Sequence, residues 1–417
     1  MSTSTQSLRI IVTGLIAQHP SLGGVAWDYL QYPLGLHQLG HDVYYFEDSG
    51  EWPYNLDGGP TGQDWVARDP AANIQHLTRV MEQFGLGDRW AYRFPIKPRW
   101  YGLSHQKRRE VLRTADLLIN VSGTLKRPSD YRSVRRLAYV DSDPVFTQIK
   151  LSLKHGQLKF RKRVDAHDVY FTFGENLNAA MVPKTGHLWQ PTRTPIVLDQ
   201  WRPSTAHRDV FTTVMSWTSY RPLQYKGARY GQKDGEFSRF VRLPSLVAPA
   251  KLEVAMSGLH HVRWQSTALD ALSQVTNGEA QPSLNPVEAL AGLGWTVADP
   301  AKVCGSLGDY RSYVESSKGE WSVAKNGYVR GQSGWFSCRS ACYLAAGRPV
   351  VVQDTGFDVA LPVGEGIVPF STLEEAVAGI RDVEDHYCRH ADAARSIASE
   401  YFDSKQVLTR LIEGALN

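Results

Sequence analysis

The sequence predicts an α/β protein built from two Rossmann-like domains that face each other across a cleft, and three observations predict it. At 417 residues the chain is too long for one ordinary domain and long enough for two, each burying its own core. Short apolar runs recur along it, each closing on small or acidic residues, as parallel strands do where their carboxyl ends carry ligands. The pattern starts near residue 8 and restarts near residue 211, which divides the chain into residues 1–200 and 201–417.

Residues 8–14 (LRIIVTG) read as the first strand, followed by a loop to Gly24, a helix over 25–39 that Gly40 ends, and a strand over 42–46 closing on Glu47 and Asp48. This is a βαβ unit, so its strands are parallel and its crossover right-handed. Further strands are expected at 115–121 before Ser122-Gly123, at 137–140 before Asp141-Ser142-Asp143, and at 169–173 before Gly174-Glu175. Residues 187–203, rich in proline and tryptophan, suit a crossing between domains. The second half opens with a strand at 211–216, then a polar, basic stretch through Asp234, a helix near 235–241 and a strand near 251–256; residues 293–297 and 350–352 continue the sheet. Leu373, Ala376, Val377, Ile380 and Val383 fall at three- and four-residue spacing and mark a closing helix, and the last helix stays within reach of the first domain.

Composition narrows the classes. With 42% hydrophobic and 21% charged residues the chain is globular, and a net charge of +4 does not by itself call for nucleic acid. Cys304, Cys338, Cys342 and Cys388 are too few and too scattered for a disulfide framework, which favours a reducing compartment. The polar start MSTSTQS and the short apolar run 8–12 suit neither a signal segment nor a membrane span, so a cytoplasmic protein without a transmembrane segment is expected.

The richest stretch is 331–356, GQSGWFSCRSACYLAAGRPVVVQDTG. Small and hydroxyl residues around Trp335 and Ser337 precede a helix of about ten residues from Cys338, which Gly347 ends and Pro349 keeps from resuming. A buried strand then closes on Gln353, Asp354, Thr355 and Gly356. The helix start suits an anion, with Arg339 in the first turn adding charge, and phosphate is the natural guest.

These residues resemble GT-B glycosyltransferases and, more narrowly, the CgeB-like group within them. The resemblance is carried by GWFSCRSACYLAAGRPVVVQDTGF, LPVGEGIVPFSTLEEA and the tail EYFDSKQVL, and by GGVAWDYLQYPLGLHQLGHDVYYFED near the amino terminus, so it spans most of the chain. It implies transfer of a sugar from a nucleotide-diphosphate sugar, a co-substrate rather than a cofactor. The carboxyl-terminal domain would hold the donor, the amino-terminal domain an acceptor of unknown identity, and no bound metal would be needed. Without a metal, cationic side chains and helix amino ends must offset the leaving diphosphate. Arg221 and Lys226, five positions apart, match in spacing the arginine and lysine that many such enzymes place on the donor, with Arg339 a third candidate. The chain departs from the retaining pattern of two glutamates eight positions apart, since Gly334 and Cys342 stand at those places; Asp354, Thr355 and Glu365 are the candidates to replace them.

On the acceptor side an inverting reaction needs a base, and Asp143, Asp141 and His19 are the candidates, with Glu175 and Asp48 behind them. Gly23 and Gly24 would let a donor or acceptor approach the backbone. Asp-x-Asp-Pro is also ordinary turn chemistry. Cys338 and Cys342 lie one helical turn apart without companions, which argues against zinc. Basic, aromatic stretches at 93–113 and 150–163 read as solvated helix faces, or as charge that attracts an anionic acceptor, nucleic acid or, in a peripheral contact with an anionic surface, phospholipid headgroups. Two rivals remain. A nicotinamide enzyme would use Glu47 or Asp48 on a ribose, yet no G-x-G-x-x-G joins the first strand to its helix. The other is a protein that binds a nucleotide sugar without chemistry.

Overall fold

The computed structural model describes residues 7–55, 65–153, 157–179, 181–203, 207–257 and 286–417. It divides into two compact units, one of Met1–Gly174, Pro183–Val197 and Phe402–Asn417, the other of Glu175–Val182 and Leu198–Tyr401.

In the first unit the strands β1 (Arg9–Thr13), β2 (Asp42–Glu47), β3 (Trp90–Phe94), β4 (Arg99–Gly102), β5 (Leu117–Val121), β6 (Leu137–Asp141), β7 (Val169–Thr172) and β8 (Trp189–Pro191) form one sheet ordered β4-β3-β2-β1-β5-β6-β7-β8. Every neighbouring pair is parallel except β3 with β4. Ile10, Ile11 and Val12 are wholly buried, as central parallel strands must be when both faces are covered. The helix Gly23–Gln38 follows β1, starting two residues before the expected Val25 because the glycines join its first turn. Its Gly35 lies against the carboxyl-terminal helix Ser404–Leu416, where an added Cβ would stand 2.7 Å from Leu408. The last helix is therefore packed within the first unit. Strand order reverses between β1 and β5, and the crevice outside their carboxyl ends is where such sheets bind ligands.

The second unit's sheet runs β13-β12-β9-β14-β15-β16 and is parallel throughout: β9 (Phe211–Ser216), β12 (Leu252–Ser257), β13 (Thr296–Ala298), β14 (Gly319–Ser322), β15 (Val350–Gln353) and β16 (Ile367–Phe370). A separate hairpin pairs β10 (Leu223–Tyr225) with β11 (Ala228–Tyr230). The core is aromatic: Trp321 of β14 stacks on Phe370 at 5.7 Å and meets Phe237, Phe240 and Trp295 edge-on or tilted. Burying each such ring contributes about 2 to 3 kcal/mol. Here the reversal lies between β9 and β14.

Several elements differ from the sequence reading. The strand expected at 293–297 begins at Thr296, because the helix Pro286–Gly292 ends through Gly294 at φ +90° and Trp295 turns inward to donate Nε1–H to Val241 O. The helix near 235–241 is α-helical over Lys233–Phe237 and 3₁₀ over Ser238–Phe240. The basic stretch 93–113 is only partly helical: β4 precedes the helix His105–Thr114, and the ring of Trp100 carries Arg108 at 4.5 Å and Arg93 at 6.0 Å. In 150–163, Lys150 and Arg163 lie over the Phe160 ring. No helix among the described residues is long and apolar enough to cross a membrane.

Candidate functional site

The carboxyl edge of the second unit's sheet gathers most of the residues singled out between 331 and 356. The helix Asn326–Gly331 stops where Gln332 turns left-handed at φ +47°, and the chain then loops back over the end of β15. Gly334 N donates to Thr355 O at 2.8 Å, the Thr355 hydroxyl donates to Trp335 O, and Gly356 N donates to Asp354 Oδ1 at 2.8 Å. Trp335, Gly334, Asp354, Thr355 and Gly356 are thus one bonded assembly. Trp335 is half-buried and stacks on Tyr328 at 4.2 Å. Ser337 is the N-cap of the helix Cys338–Ala345 and makes no side-chain cap bond, so the first-turn N–H groups go uncapped by it.

Arg339 points inward from that first turn. Its Nε donates to Glu320 Oε1 at 2.5 Å and its Nη1 to Val214 O at 2.6 Å. Burial opposes the charge, but the Glu320 carboxylate outweighs it and holds the guanidinium above its ordinary pKa. Two further cations share this field. Burial, and then the neighbouring Arg339, push the Lys233 ammonium well below its usual pKa, with Lys325 adding to the effect. Lys233 is half-buried, and among the described residues its ammonium has no hydrogen-bond or ion-pair partner. Lys325, three residues past β14, donates to the Tyr220 hydroxyl at 3.1 Å and lies over the rings of Tyr220 and Tyr328. The buried Glu236 accepts from Asn326 Nδ2 at 2.8 Å and Gln353 Nε2 at 2.6 Å, tying the start of the helix Asn326–Gly331 to the end of β15.

Lys233 and Lys325 stand in no motif of the sequence. The available signal was position, since Lys325 follows a strand at the order reversal and Lys233 opens the helix after the hairpin. Arg221 and Lys226 sit on the surface instead. Both are exposed, Arg221 ahead of the hairpin and Lys226 at its tip with φ +47°, its ammonium 5.5 Å from the Tyr225 ring centre. Lys226 borders a 350 Å³ cavity with Tyr225, Tyr230 and Arg330. Glu365 is exposed and pairs with Arg389 at 3.4 Å.

In the first unit the acid candidates differ sharply. Asp141 is buried and fully engaged, accepting from Thr147 Oγ1 (2.7 Å), Gln148 Nε2 (3.0 Å), Thr172 Oγ1 (3.1 Å) and Asp143 N (3.1 Å). Burial raises its pKa to about 6 against those donors. Asp143 is half-buried beside Ser142, whose hydroxyl meets that of Ser122 at 2.6 Å and so joins the ends of β5 and β6. His19 lies in the loop after β1, stacked on Tyr54 at 4.7 Å, and burial lowers its pKa to about 4. Its imidazole is therefore neutral at pH 7. Gly23 and Gly24 form the first turn of the following helix. Glu47 and Asp48 are both buried: Glu47 accepts from Ala17 N, Gln18 N and the Tyr45 hydroxyl, while Asp48 accepts from Tyr131 at 3.0 Å and Arg93 at 3.5 Å. Among the described residues no group of three or more His, Cys, Asp or Glu side chains could hold a metal ion.

Two doubly wound sheets, parallel but for the edge pair β3 with β4 and each with one order reversal, define the GT-B class of fold, and solved structures of glycosyltransferases share it. An α-glucosyltransferase in complex with UDP superimposes with a TM-score of 0.55 at 12% identity, over 99% of this chain and all of that one. Anabaena Alr3699/HepE in complex with UDP-glucose does so at 0.53 and 12% identity, over 97% of this chain and 98% of its own. The α-glucosyltransferase has also been solved with UDP-glucose and DNA containing an abasic site, at 0.55 and 12% identity. No family model matches the sequence, and no curated protein does.

Proposed function

We propose that the protein transfers a sugar from a nucleotide-diphosphate sugar to an acceptor without a bound metal. The observation that carries this reading is that Lys233, Lys325 three residues past β14, and Arg339 act on one another electrostatically, Arg339 lying in the first turn of a helix whose N-cap Ser337 makes no side-chain cap bond. Arg339 is committed to Glu320, so Lys233 and Lys325 take the diphosphate, whose negative charge favours the ammonium form of Lys233 that burial and Arg339 disfavour; Arg339 sets the field behind them, and Arg221 and Lys226 add long-range charge from the hairpin. Positive groups fixed where the leaving phosphate gathers charge stabilise the transition state without reorganising. Trp335, Ser337 and the Asp354–Gly356 turn shape the rest of the donor site. The likeness of 331–356 to the CgeB-like group supports the same placement.

On the acceptor side we assign the base to His19, with Asp143 as the alternative. A neutral imidazole can take a hydroxyl proton, whereas Asp141 has its acceptor capacity filled by four donors. An acid at position 334 is sterically barred: Gly334 has φ +81°, and an added Cβ would stand 2.6 Å from Asn176 N. This favours an inverting route over the two-glutamate retaining pattern. The nicotinamide reading weakens because Glu47 and Asp48 are both spent inside the fold.

The test is calorimetric titration with UDP, GDP, ADP, CMP and dTDP, with and without magnesium, on the wild type and on Lys233→Ala and Lys325→Ala. Metal-independent binding of one nucleotide, weakened in both variants, supports the reading. Binding of NADH alone would overturn it.

A further inference from the structure

One buried carboxylate grips the loop after β1. Glu47, the last residue of β2, is 0% exposed; its Oε2 accepts from Ala17 N and the Tyr45 hydroxyl, each at 2.8 Å, and its Oε1 accepts from Gln18 N at 2.7 Å. The Tyr45 hydroxyl in turn accepts from Ile16 N at 3.0 Å. The loop's carbonyls are held from outside: Asn73 Nδ2 donates to Ala17 O at 2.7 Å and to Tyr54 O at 3.1 Å, and Tyr54 N donates to Gln18 O at 2.9 Å. His19 is the next residue, its ring flat on Tyr54. Among the described residues its ring nitrogens have no hydrogen-bond partner, so its position comes from the backbone before it and the ring beneath it.

We propose that Glu47 is a positioning residue, which by holding the amides of Ala17 and Gln18 fixes where His19 presents its imidazole. The proposal rests on the reading of His19 as the acceptor-side base. Three donors converge on the two carboxylate oxygens. The anion makes all three charge-assisted bonds; a neutral acid weakens them, and a glutamine turns its Nε2 donor toward one of them.

The groups facing Glu47 are phenols: Tyr45 on its own strand, Tyr92 on β3, and Tyr29 of the helix Gly23–Gln38 against Tyr45. Burial raises Glu47 to about 7, so the grip strengthens as pH rises through neutrality and the carboxyl ionises.

Amide exchange and imidazole NMR on the full chain test this without any substrate, comparing the wild type with Glu47→Gln and Glu47→Asp. Exchange at Ala17 and Gln18 is expected to rise at least about tenfold in Glu47→Gln while Ile11 and Val12 hold, with the His19 ring signals moving and Glu47→Asp intermediate. In turnover, Glu47→Gln is expected to lower kcat about tenfold or more with the donor KM unchanged, and to lose the wild-type fall in kcat below pH 7. Should Glu47→Gln not fold, Tyr45→Phe removes one of the three donors and is expected to loosen Ile16 and Ala17 in the same way. Unchanged exchange at Ala17 and Gln18, or faster exchange across the whole sheet, overturns the proposal. So does a kcat that falls while the acid limb stays. A loosened loop in a protein that turns over no nucleotide sugar overturns the transferase reading and leaves the grip on the loop standing.

Discussion

Arg339 Nε lies 2.5 Å from Glu320 Oε1, and both side chains are buried, one on the first turn of a helix and the other in β14, a central strand of the second unit's sheet. The pair ties the helix Cys338–Ala345 to β14. Removing either partner strands the other charge in the core, which typically costs about 3 to 5 kcal/mol. Arg339→Met and Glu320→Gln are each expected to lower the unfolding free energy by that order, and the double variant by less than the sum. Urea unfolding of the three variants measures the coupling, and simple additivity would show that the pair does not act as a unit.

Lys233 and Lys325 bear the diphosphate load in the proposed function. Removing a charge-assisted bond to phosphate costs about 1.5 to 3 kcal/mol, or about ten- to a hundredfold in affinity. Lys325→Ala and Lys233→Ala should each weaken nucleoside diphosphate binding within that range. Arg221→Ala and Lys226→Ala should weaken it by less than about threefold at physiological salt, because screened surface charges contribute little. Titration of all four variants ranks them, and a larger loss at Lys226 than at Lys233 would move the donor phosphates to the hairpin.

Gly334 has a backbone that side chains resist. An alanine there carries about 1 to 2 kcal/mol of left-handed strain, and its Cβ would push on the backbone of Asn176. Gly334→Ala is expected to loosen the Trp335–Thr355 assembly and weaken donor binding more than it lowers the melting temperature. Equal binding in the two proteins would remove this loop from the donor site.

Acid should destabilise the protein in a definite window. His19, His76 and His167 are lowered by burial to about 4, so between pH 6.5 and 4 the unfolded chain takes up protons that the native state refuses. Stability therefore falls with pH across that window. Glu47 and Asp141, raised to about 7 and about 6, work the other way, because the native state keeps protons there that the unfolded chain has released. The three histidines and the two carboxylates therefore pull in opposite directions across this window, the histidines being the more numerous. His76, whose buried Nε2 has no hydrogen-bond partner among the described residues, supplies the check. In His76→Gln the decline in urea midpoint between pH 6.5 and 5 should become shallower.

Much of this fold was legible before any coordinates. The βαβ opening, the strands at 42–46, 137–140 and 211–216, and the helix and strand of 331–356 follow from apolar period and from glycine and proline placement, which act over a few residues. The strands β3, β4, β8, β14 and β16 were not legible, because WAYRF, RWYG, WQP, GEWS and IVPF are too short or too mixed to show a period. The helix over 373–385 was marked by its spacing, and Thr372 with Glu375 supplies a capping box at its start.

By itself the sequence determined the fold class, two parallel sheets with polar residues at the strand ends, and it marked the stretch in which the donor site is proposed. Tertiary structure alone decided what each polar side chain does. Arg339 turned inward because Glu320 was there to receive it, and Asp141 was filled by donors from two other elements. Lys233 and Lys325, 92 positions apart in the chain, came into one electrostatic field because strand order reverses between β9 and β14. Local pattern sets which segments become strands and helices. Which charges meet depends on strand order, and that is settled by packing between residues far apart in sequence.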